Sequence, residues 1–273
     1  MKRFRKILIA VLAVVLAVSL GGVLRAQLGY RQGEETYSDA QEVAGLTQPE
    51  EPTPEEIPDE PVGDEEKDPL VEMLQTLDLP ALQAVNDDIM GWILIPDTVI
   101  SYPVLQGDDN DLYLDHTWDL KSSSVGAIFM DYRNSRDLSD FNTIIYGHNM
   151  RDDSMFGELH LFRTPGFFAA HPSVYLVDES GCHKYDIFAA YEVSLVTAEP
   201  YQMEFSGAED QQAYIKKCLS LSGGDTEITP SAEDKILTLS TCSTWGYKYR
   251  WVVQAVQDTE FTFALQSGST KAE

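Results

Sequence analysis

A cysteine and an arginine eight residues later are the pair of side chains in this sequence best suited to chemistry. Cys242 ends the apolar alternating run "ILTLSTC", and Arg250 opens the next apolar run, "RWVV". A thiolate is a strong nucleophile, and a guanidinium offers fixed donors and a permanent charge to a developing oxyanion. Two antiparallel strands joined by "STWGYKY" would place these residues side by side. The alternative is a structural cysteine near a surface ion pair, and spacing alone does not decide between the two.

A thiol nucleophile needs a proton partner, and His148 is the histidine best placed to be one. It follows the apolar run "FNTIIY" and Gly147, which would let the backbone turn sharply and present the imidazole at a strand end. The remaining histidines lie in polar loop or helix-like segments, and no catalytic role is expected for them: His116, His160, His171 and His183.

The other two cysteines are interpreted as structural or incidental. Cys218 lies in a helix-like segment and shares one face with Tyr214 and Ile215, so we expect it in the core. Cys182 lies in the turn-like stretch "ESGCHK" and is expected to be exposed. Three scattered cysteines without a CxxC pair exclude a disulfide framework and disfavour a structural zinc site.

The elements that must position these side chains are mostly strands. Short segments rich in Val, Ile, Tyr and Phe, bounded by turn residues, are predicted as strands: "WILIPDTVISYPVLQ", "GAIFMDY", "NTIIYGH", "SVYLVDE", "KYDIFAAYEVSLV", "KILTLSTC" and "YRWVVQAVQ". Apolar spacing of three and four predicts helices in "DPLVEMLQTL", "LPALQAVNDDIMGWI" and "AEDQQAYIKKCLSLS". Many short strands at this spacing indicate a closed barrel or a sandwich.

The N-terminus is predicted to anchor the chain in a membrane. Residues 1–6 carry four positive charges, and residues 7–24 carry none. Eighteen helical residues reach about 27 Å, close to the thickness of a bilayer core. The exit "VLRAQ" is a poor cleavage site, which favours an uncleaved signal anchor over a cleaved signal peptide. The basic tail would remain in the cytoplasm and the bulk of the chain would lie outside the cell.

Residues 25–68 are predicted to form a disordered acidic, proline-rich linker before a folded domain at 69–273. From Gly33 to Asp68 the sequence has fourteen Asp and Glu residues and one Lys, a net charge of −13. Such a segment buries too little apolar surface to offset the entropy of ordering. The whole chain carries a net charge of −26, and its acidity without a basic patch excludes a nucleic-acid partner.

Taken together, the motifs resemble those of class B sortases. The resemblance rests on "TLSTC" followed by Arg250, on "YGHNM" upstream, and on "YPVLQGDDNDLYLDH" and "MRDDSMFGEL", and it extends over Pro69–Phe263. The N-terminal helices and an insertion over about residues 197–229 favour class B over class A. The resemblance implies a mainly β fold, an eight-stranded barrel with N-terminal helices and a helix in the insertion before the Cys242 strand.

The resemblance also implies a function. Sortases are membrane-anchored cysteine transpeptidases that cut a C-terminal sorting signal of secreted proteins after a threonine and join that threonine to a cell-wall amine. It implies that Cys242 is the nucleophile, His148 the general acid and base, and Arg250 the clamp for oxyanion and substrate. The implied substrate-groove residues are Asn110, Leu114, Tyr146, Thr197, Tyr201 and Ser240.

Several points stay open in the sequence. The recognised signal could be NPxTN-like or PxTG-like, and the amine could come from a peptidoglycan precursor, a cell-wall peptide or a pilin lysine. No cofactor or metal is expected, because "GDDNDLYLD" lacks the Asp-x-Asp-x-Asp-Gly order of a calcium loop. The rival interpretations are an L,D-transpeptidase-like enzyme, disfavoured because Ser243 and Thr244 follow the cysteine, and an anchored binding module whose cysteine is buried and inert.

Overall fold

Eight strands pair edge to edge and close into a barrel. The computed structural model describes residues 2–46, 68–195, 199–222, 226–243 and 246–261. The strands are β1 Ile89–Leu94, β2 Ser101–Leu105, β3 Ile128–Met130, β4 Asn142–Tyr146, β5 Ser173–Asp178, β6 Gly181–Ser194, β7 Ile236–Ser243 and β8 Gly246–Gln257. Their order around the barrel is β1-β2-β3-β4-β7-β8-β6-β5, with β5 returning to pair with β1. This closed barrel confirms the predicted mainly β, eight-stranded fold.

Two strand pairs of the barrel are parallel, and the others are antiparallel. The parallel pairs are β2 with β3 and β4 with β7. Parallel neighbours cannot be joined by a tight hairpin, so other elements of the chain must lie between them. Between β4 and β7 these elements include β5, β6 and the helix α5, Ala208–Leu221.

Alternation along β7 and β8 separates two apolar layers. Leu239 and Val253 belong to the main core inside the barrel, whereas Ile236 and Val252 belong to a second cluster. Because successive side chains of a strand lie on opposite faces, this second cluster covers the outer face. The helix α5 buries three side chains there: Tyr214, Ile215 and Cys218. The predicted helix in the insertion and the core position of Cys218 are therefore confirmed.

The other α-helices of the described residues are α1 Lys2–Val43, α2 Pro69–Gln75, α3 Leu79–Gln83 and α4 Pro165–Ala170. Short 3-10 helices cover Leu112–Leu114, Gly157–Arg163 and Glu199–Tyr201. Both α2 and α3 have a proline in their first two positions and an aspartate cap, from Asp68 and Asp78. Each cap accepts a backbone N–H at 2.9 Å, which satisfies a donor that the helix itself leaves free. The two predicted N-terminal helices are thus confirmed, although they are shorter than their apolar patterns.

The helix α1 corrects the predicted linker. It continues without a break past residue 24, and the side chains of Tyr37, Ala40, Ala44 and Leu46 are buried against the folded domain. The prediction of a disordered linker is therefore wrong for residues 25–46, while residues 47–67 lie outside the described residues. An apolar stripe at helical spacing explains the difference, because these small and aromatic side chains are separated by exposed acidic residues. The acidic composition concealed that stripe.

The first part of α1 is long and apolar enough to cross a membrane. The segment Phe4–Val23 has 20 residues and a mean hydropathy of 2.5, and none of it is buried in the protein. A signal sequence near the N-terminus has the same length and composition. The helix therefore agrees with a membrane segment by composition and length alone.

Cys182 also differs from its sequence-based prediction. It lies on β6, paired with Val177 of β5, and only 2% of its surface is exposed. Burial raises the pKa of the Cys182 thiol to about 12. The expectation of an exposed turn cysteine is therefore wrong, because the turn ends at Ser180 and β6 begins at Gly181, three residues before the predicted start of the strand at Lys184. A thiol with this pKa stays protonated and is a poor nucleophile.

Candidate active site

Parallel pairing of β4 with β7 brings the ends of two strands to one rim of the barrel. Tyr146 pairs with Ser240, and the Gly147 N–H donates to the Ser240 carbonyl at 3.1 Å. His148 and Cys242 each follow that pair by two residues in the same direction. One backbone register therefore carries the histidine and the cysteine to the same level of the rim.

Antiparallel pairing of β7 with β8 adds the arginine. Cys242 pairs directly with Arg250, so these two residues lie opposite each other on neighbouring strands. The Arg250 Nη1 donates to the Tyr249 carbonyl at 3.1 Å, which holds the guanidinium near its own strand. The cysteine of β7 and the arginine of β8 thus lie at the rim to which the segment after β4 brings the histidine.

A glycine is required at position 147 because a side chain would not fit there, and not because of the backbone torsion. Its φ is not positive, but a Cβ at this position would lie 2.8 Å from the Phe156 ring and would also overlap Ile128. Only glycine therefore lets the chain pass the core here and deliver His148 to the rim. The sequence predicted the glycine's importance but gave the wrong reason, a sharp turn.

The imidazole of His148 has a defined orientation. Its Nε2 lies 2.6 Å from the carbonyl oxygen of Leu114. A carbonyl oxygen can only accept, so Nε2 carries the proton of this hydrogen bond. In the neutral imidazole the proton-accepting nitrogen is then Nδ1, and the hydrogen bond to the Leu114 loop fixes that choice.

A groove of about 260 Å³ opens at this rim. Seven of the predicted site residues line it: Asn110, Leu114, Tyr146, His148, Tyr201, Ser240 and Arg250. Two predicted site residues are not in this set. Thr197 lies outside the described residues, and Cys242 pairs with Arg250 at the same rim. The structure therefore brings together side chains from β4, β7, β8 and three loops.

A buried carboxylate ties together one wall of the groove. Asp131 is fully buried, and its oxygens accept from the Asn110 amide at 3.1 Å and from the Tyr146 hydroxyl at 2.9 Å. Arg133 completes the set with two donors at 2.8 Å. Burial tends to raise the pKa of the Asp131 carboxyl, but the hydrogen bonds from Arg133 and Tyr146 outweigh it and lower the pKa. One buried charge thus holds two predicted groove residues.

The opposite wall is formed by the 3-10 helix Glu199–Tyr201. The hydroxyl groups of Tyr201 and Ser240 lie 2.8 Å apart, and the Tyr201 ring stacks 6.3 Å from the Tyr146 ring. A tyrosine from the insertion therefore closes the groove against both β4 and β7.

A neutral hydrogen-bond network holds this second wall in place. The Asn142 amide donates to the carbonyls of Pro200 and Gln202 at 3.1 and 2.9 Å. Tyr214 of α5 also donates to the Pro200 carbonyl at 3.1 Å, and Gln254 of β8 donates to the Tyr214 hydroxyl at 2.6 Å. These side chains are buried and carry no charge, so paired amides and hydroxyls rather than ions position Tyr201.

One carboxylate of "GDDNDLYLD" accepts hydrogen bonds from the backbone. Asp109 accepts from the N–H groups of Asp111 and Leu112 at 2.8 and 3.0 Å, and so begins the 3-10 helix Leu112–Leu114. This helix leads directly to Leu114, whose carbonyl holds His148. Within the described ranges, no group of three or more His, Cys, Asp or Glu side chains is arranged to hold a metal ion.

Several residues of the groove were not predicted from the sequence. Phe129, Leu195 and Thr241 line it beside Gly147, which the sequence had already singled out. Thr241 could have been inferred as the neighbour of Cys242, whereas Leu195 is brought in only by the tertiary fold. Asp131 had a signal, because an acidic residue directly ending the apolar run "AIFM" and followed by an arginine two residues later is typical of a buried ion pair.

Comparisons with known proteins place this geometry in a family. A sortase domain model matches residues 93–258. The chain is 43% identical to sortase B of Listeria monocytogenes over 171 residues, which cover 61% of this chain and 68% of that protein. It is 32% identical to sortase B of Staphylococcus aureus over 163 residues, covering 59% and 66%.

Solved structures agree with these sequence matches. Clostridium perfringens sortase B superposes with a TM-score of 0.62 at 36% identity, over 66% of this chain and 98% of that one. A Staphylococcus aureus sortase B–substrate complex superposes with a TM-score of 0.70 at 26% identity, over 85% and 98%. The barrel, the rim and the sequence matches agree, and the chain therefore belongs to class B of the sortase family, whose members are cysteine transpeptidases.

Proposed function

We propose that this enzyme cuts a C-terminal sorting signal after its threonine through a thioacyl intermediate and transfers the threonine to a cell-wall amine. The observation that supports the proposal is the strand pairing at the rim: His148 and Arg250 line the groove, and Cys242 pairs with Arg250 across β7 and β8. The NPxTN-like and PxTG-like signals remain the two candidate substrates.

The thiolate of Cys242 attacks the threonine carbonyl and forms a tetrahedral oxyanion. Arg250, paired with Cys242 across β7 and β8, donates to that oxyanion and stabilises its charge. Protonated His148 then gives its Nδ1 proton to the departing amine, the C–N bond breaks, and a thioester remains. The neutral imidazole next accepts a proton from the incoming amine, whose attack forms the new amide and releases the Cys242 thiolate, so that the thiolate and the protonated imidazole are both restored. Nε2 keeps its proton throughout, because it is bound to the Leu114 carbonyl.

The groove residues hold the peptide on the threonine's N-terminal side. Leu114 and Leu195 are more than two-fifths exposed beside the groove, so they offer apolar contacts to the signal. Asn110, Tyr146, Ser240 and Tyr201 supply polar edges, and Thr197 is proposed as a further contact. An apolar groove with a few fixed polar groups suits an extended peptide with a proline or a branched side chain.

We propose further that α1 anchors the enzyme with its N-terminus in the cytoplasm and its barrel outside the cell. The support is the apolar segment Phe4–Val23 preceded by the basic residues of the tail. This orientation places the groove where secreted proteins and the cell-wall peptide meet. The partners are then a secreted protein with a sorting signal and a peptidoglycan precursor, a cell-wall peptide or a pilin lysine.

The test is a peptide-cleavage panel with the full chain in detergent micelles. NPxTN-like and PxTG-like peptides are incubated with hydroxylamine, which should capture the threonine as a hydroxamate detected by mass spectrometry. Cys242→Ala should abolish the product, whereas the matched controls Cys182→Ala and Cys218→Ala should retain it while losing about 1–2 kcal/mol of stability.

Two outcomes would reject the proposal. Cleavage that persists in Cys242→Ala would remove the nucleophile assignment. Slow labelling of Cys242 by thiol reagents, together with no cleavage of any peptide by the wild-type chain, would favour a binding module instead.

A further inference from the structure

The C-terminal part of α1 is packed into the catalytic domain. Tyr37 and Ala40 form its buried stripe, and Ala44, one residue past the end of the helix, continues it. Tyr37 is only 5% exposed, and both alanines are fully buried. The N–H of Asp78, the cap of α3, donates to the Ala44 carbonyl at 3.0 Å. The helix that begins at the apolar N-terminus therefore ends as part of the folded domain.

This part of α1 contacts one loop in particular, residues 112–127. We name it the histidine loop because its Leu114 carbonyl binds the His148 imidazole. The Tyr37 hydroxyl donates to the Gly126 carbonyl at 2.5 Å, and the Trp118 indole N–H donates to the Thr36 carbonyl at 2.8 Å. Gly33 packs so closely on the loop that a Cβ there would lie 2.8 Å from the Val125 side chain. Two hydrogen bonds and one close apolar contact thus join α1 to the loop.

The opposite side of the same loop holds His148. Gly126 has a φ of +61°, and a Cβ on it would lie 2.8 Å from His148 Cδ2 and 2.7 Å from the Tyr113 carbonyl. The Leu114 carbonyl, twelve residues earlier in the loop, accepts from His148 Nε2 at 2.6 Å. The backbone at Gly126 is therefore in contact with the imidazole ring on one side and bound to Tyr37 on the other.

We propose that α1 braces the histidine loop and that Tyr37 is a positioning residue which fixes the His148 imidazole through Gly126. This inference rests on the proposed role of His148 in the transfer reaction. It makes the anchoring helix part of the machinery that orients the general acid and base, in addition to any role in the membrane.

The chemistry of Tyr37 suits a permanent brace. Burial raises the pKa of Tyr37 well above its ordinary value, and the nearby Tyr102 and Asp119 act in the same direction. The hydroxyl therefore remains a donor across the whole pH range in which an enzyme works. Among the described residues, Tyr37 is the hydrogen-bond donor found at the Gly126 carbonyl, so its removal leaves a buried acceptor without a partner.

The brace can be tested with Tyr37→Phe in the full chain in detergent micelles, using Tyr30→Phe as the matched control. Tyr30 lies on the same helix and takes no part in the two hydrogen bonds that join α1 to the loop. Amide hydrogen exchange without peptide should accelerate about tenfold within residues 112–127 of Tyr37→Phe and remain unchanged in Tyr30→Phe. Trp118→Phe, which removes the second hydrogen bond to α1, should loosen the same loop.

Acylation kinetics then connect the brace to catalysis. With a peptide that the wild-type chain cleaves, Tyr37→Phe should lower the rate of thioester formation about two- to tenfold with an unchanged KM, because orientation of the imidazole and not peptide binding is impaired. A purely structural role would instead lower Tm and leave the rate per folded molecule unchanged.

The outcomes separate this inference from the proposed function. Unchanged exchange in the histidine loop, exchange raised evenly over the whole domain, or a looser loop with an unchanged acylation rate would each overturn the brace. If the wild-type chain cleaves no peptide, the proposed function fails, and the exchange experiment still decides whether α1 holds the loop.

Discussion

The centre of the groove and its walls are positioned by different physical means. In the centre, the backbone register of three paired strands sets the levels of His148, Cys242 and Arg250. In the walls, hydrogen bonds of buried side chains hold the groove residues: Asp131 holds one wall and Asn142 holds the other. Many backbone hydrogen bonds together maintain the strand register, whereas each wall depends on the hydrogen bonds of one buried side chain. Substitutions in the centre should therefore change the chemistry, and substitutions in the walls should change peptide binding.

The two walls also differ from each other. The Asp131 wall contains an ionised carboxylate paired with the half-exposed Arg133, so its strength depends on pH. The Asn142 wall contains amides, hydroxyls and backbone carbonyls, none of which changes charge near neutral pH. Lowering the pH should consequently loosen the Asp131 wall before the Asn142 wall.

The largest effect is expected from Arg250→Lys in the centre of the groove. A lysine keeps the charge but cannot reproduce the planar fork of donors. We expect kcat/KM for peptide cleavage to fall about a hundredfold or more with little change in Tm, since one oxyanion donor is lost. Rapid-quench measurement of thioester formation alongside a melting curve tests this, with the exposed Lys248→Ala on the same strand as control. A variant within about threefold of wild type would remove Arg250 from the chemistry.

The next effect is expected from Asp131→Asn in the charged wall. The amide cannot accept from Arg133, Asn110 and Tyr146 together, so both groove residues should loosen. We expect KM to rise about tenfold with kcat nearly unchanged, and stability at neutral pH to fall by about 1–3 kcal/mol. Peptide-cleavage kinetics and urea unfolding measure both quantities. Asp108→Asn, an exposed carboxylate in the same loop as Asn110, is the control and should change neither.

The pH dependence of stability sharpens the same comparison. The pKa of Asp131 is lowered in the folded state, so its contribution is present above the unfolded-state pKa of about 4 and is lost as pH falls through the folded-state value. Unfolding at pH 7 and below pH 4 should show a smaller acid-induced loss in Asp131→Asn than in wild type. Equal losses in the two proteins would show that the carboxylate does not hold its wall.

A smaller effect is expected from Asn142→Ala in the neutral wall. The change leaves the Pro200 and Gln202 carbonyls without a donor and should cost about 1–3 kcal/mol of stability. Because this network carries no ionised group, the cost should be the same at pH 4 and pH 7. KM should rise about three- to fivefold as Tyr201 loosens. A cost that changed strongly with pH would contradict the distinction between the two walls.

The smallest effect is expected from Tyr201→Phe. The ring keeps its stacking on Tyr146, and the hydroxyl's hydrogen bond with Ser240 is lost. We expect KM to rise about two- to threefold, in line with one neutral hydrogen bond at a partly exposed site. Tyr249→Phe, which removes an exposed hydroxyl on β8, provides the baseline. A change in kcat with constant KM would instead assign Tyr201 to the chemistry.

The sequence predicted those features that depend on local patterns and on motifs with fixed spacing. The apolar pattern predicted seven strand segments, of which "WILIPDTVISYPVLQ" merged β1 with β2, and it assigned the first residues of β1 to a helix. The eight-residue spacing of Cys242 and Arg250 matched the hairpin that pairs them. The resemblance to class B sortases supplied Asn110 and Tyr146, which a single sequence could not have brought together. Their proximity depends on a parallel strand pair and a loop crossing, which no local pattern encodes.

The remaining features depend on which side chains are buried, and local amino-acid composition does not predict this. Acidic residues made the segment around Tyr37 look disordered, although its inward-facing stripe is small and aromatic. Cys182 looked exposed because its neighbours in sequence are turn residues. Asn142 is a polar residue at a strand end, where solvent exposure is the ordinary expectation. In each case the tertiary partner, distant in sequence, decides the environment.

The parallel pairing of β4 with β7 also has a consequence for how the enzyme becomes active. His148 and Cys242 lie 94 positions apart in the chain, with β5, β6 and α5 between them. Closing so long a loop costs conformational entropy that is repaid only when the intervening strands have paired. We expect the thiol and the imidazole to meet late in folding, when the barrel closes. In a newly made or partly folded chain, the Cys242 thiol would lack its histidine partner and would cleave no peptide. Activity would therefore appear only when the barrel is complete.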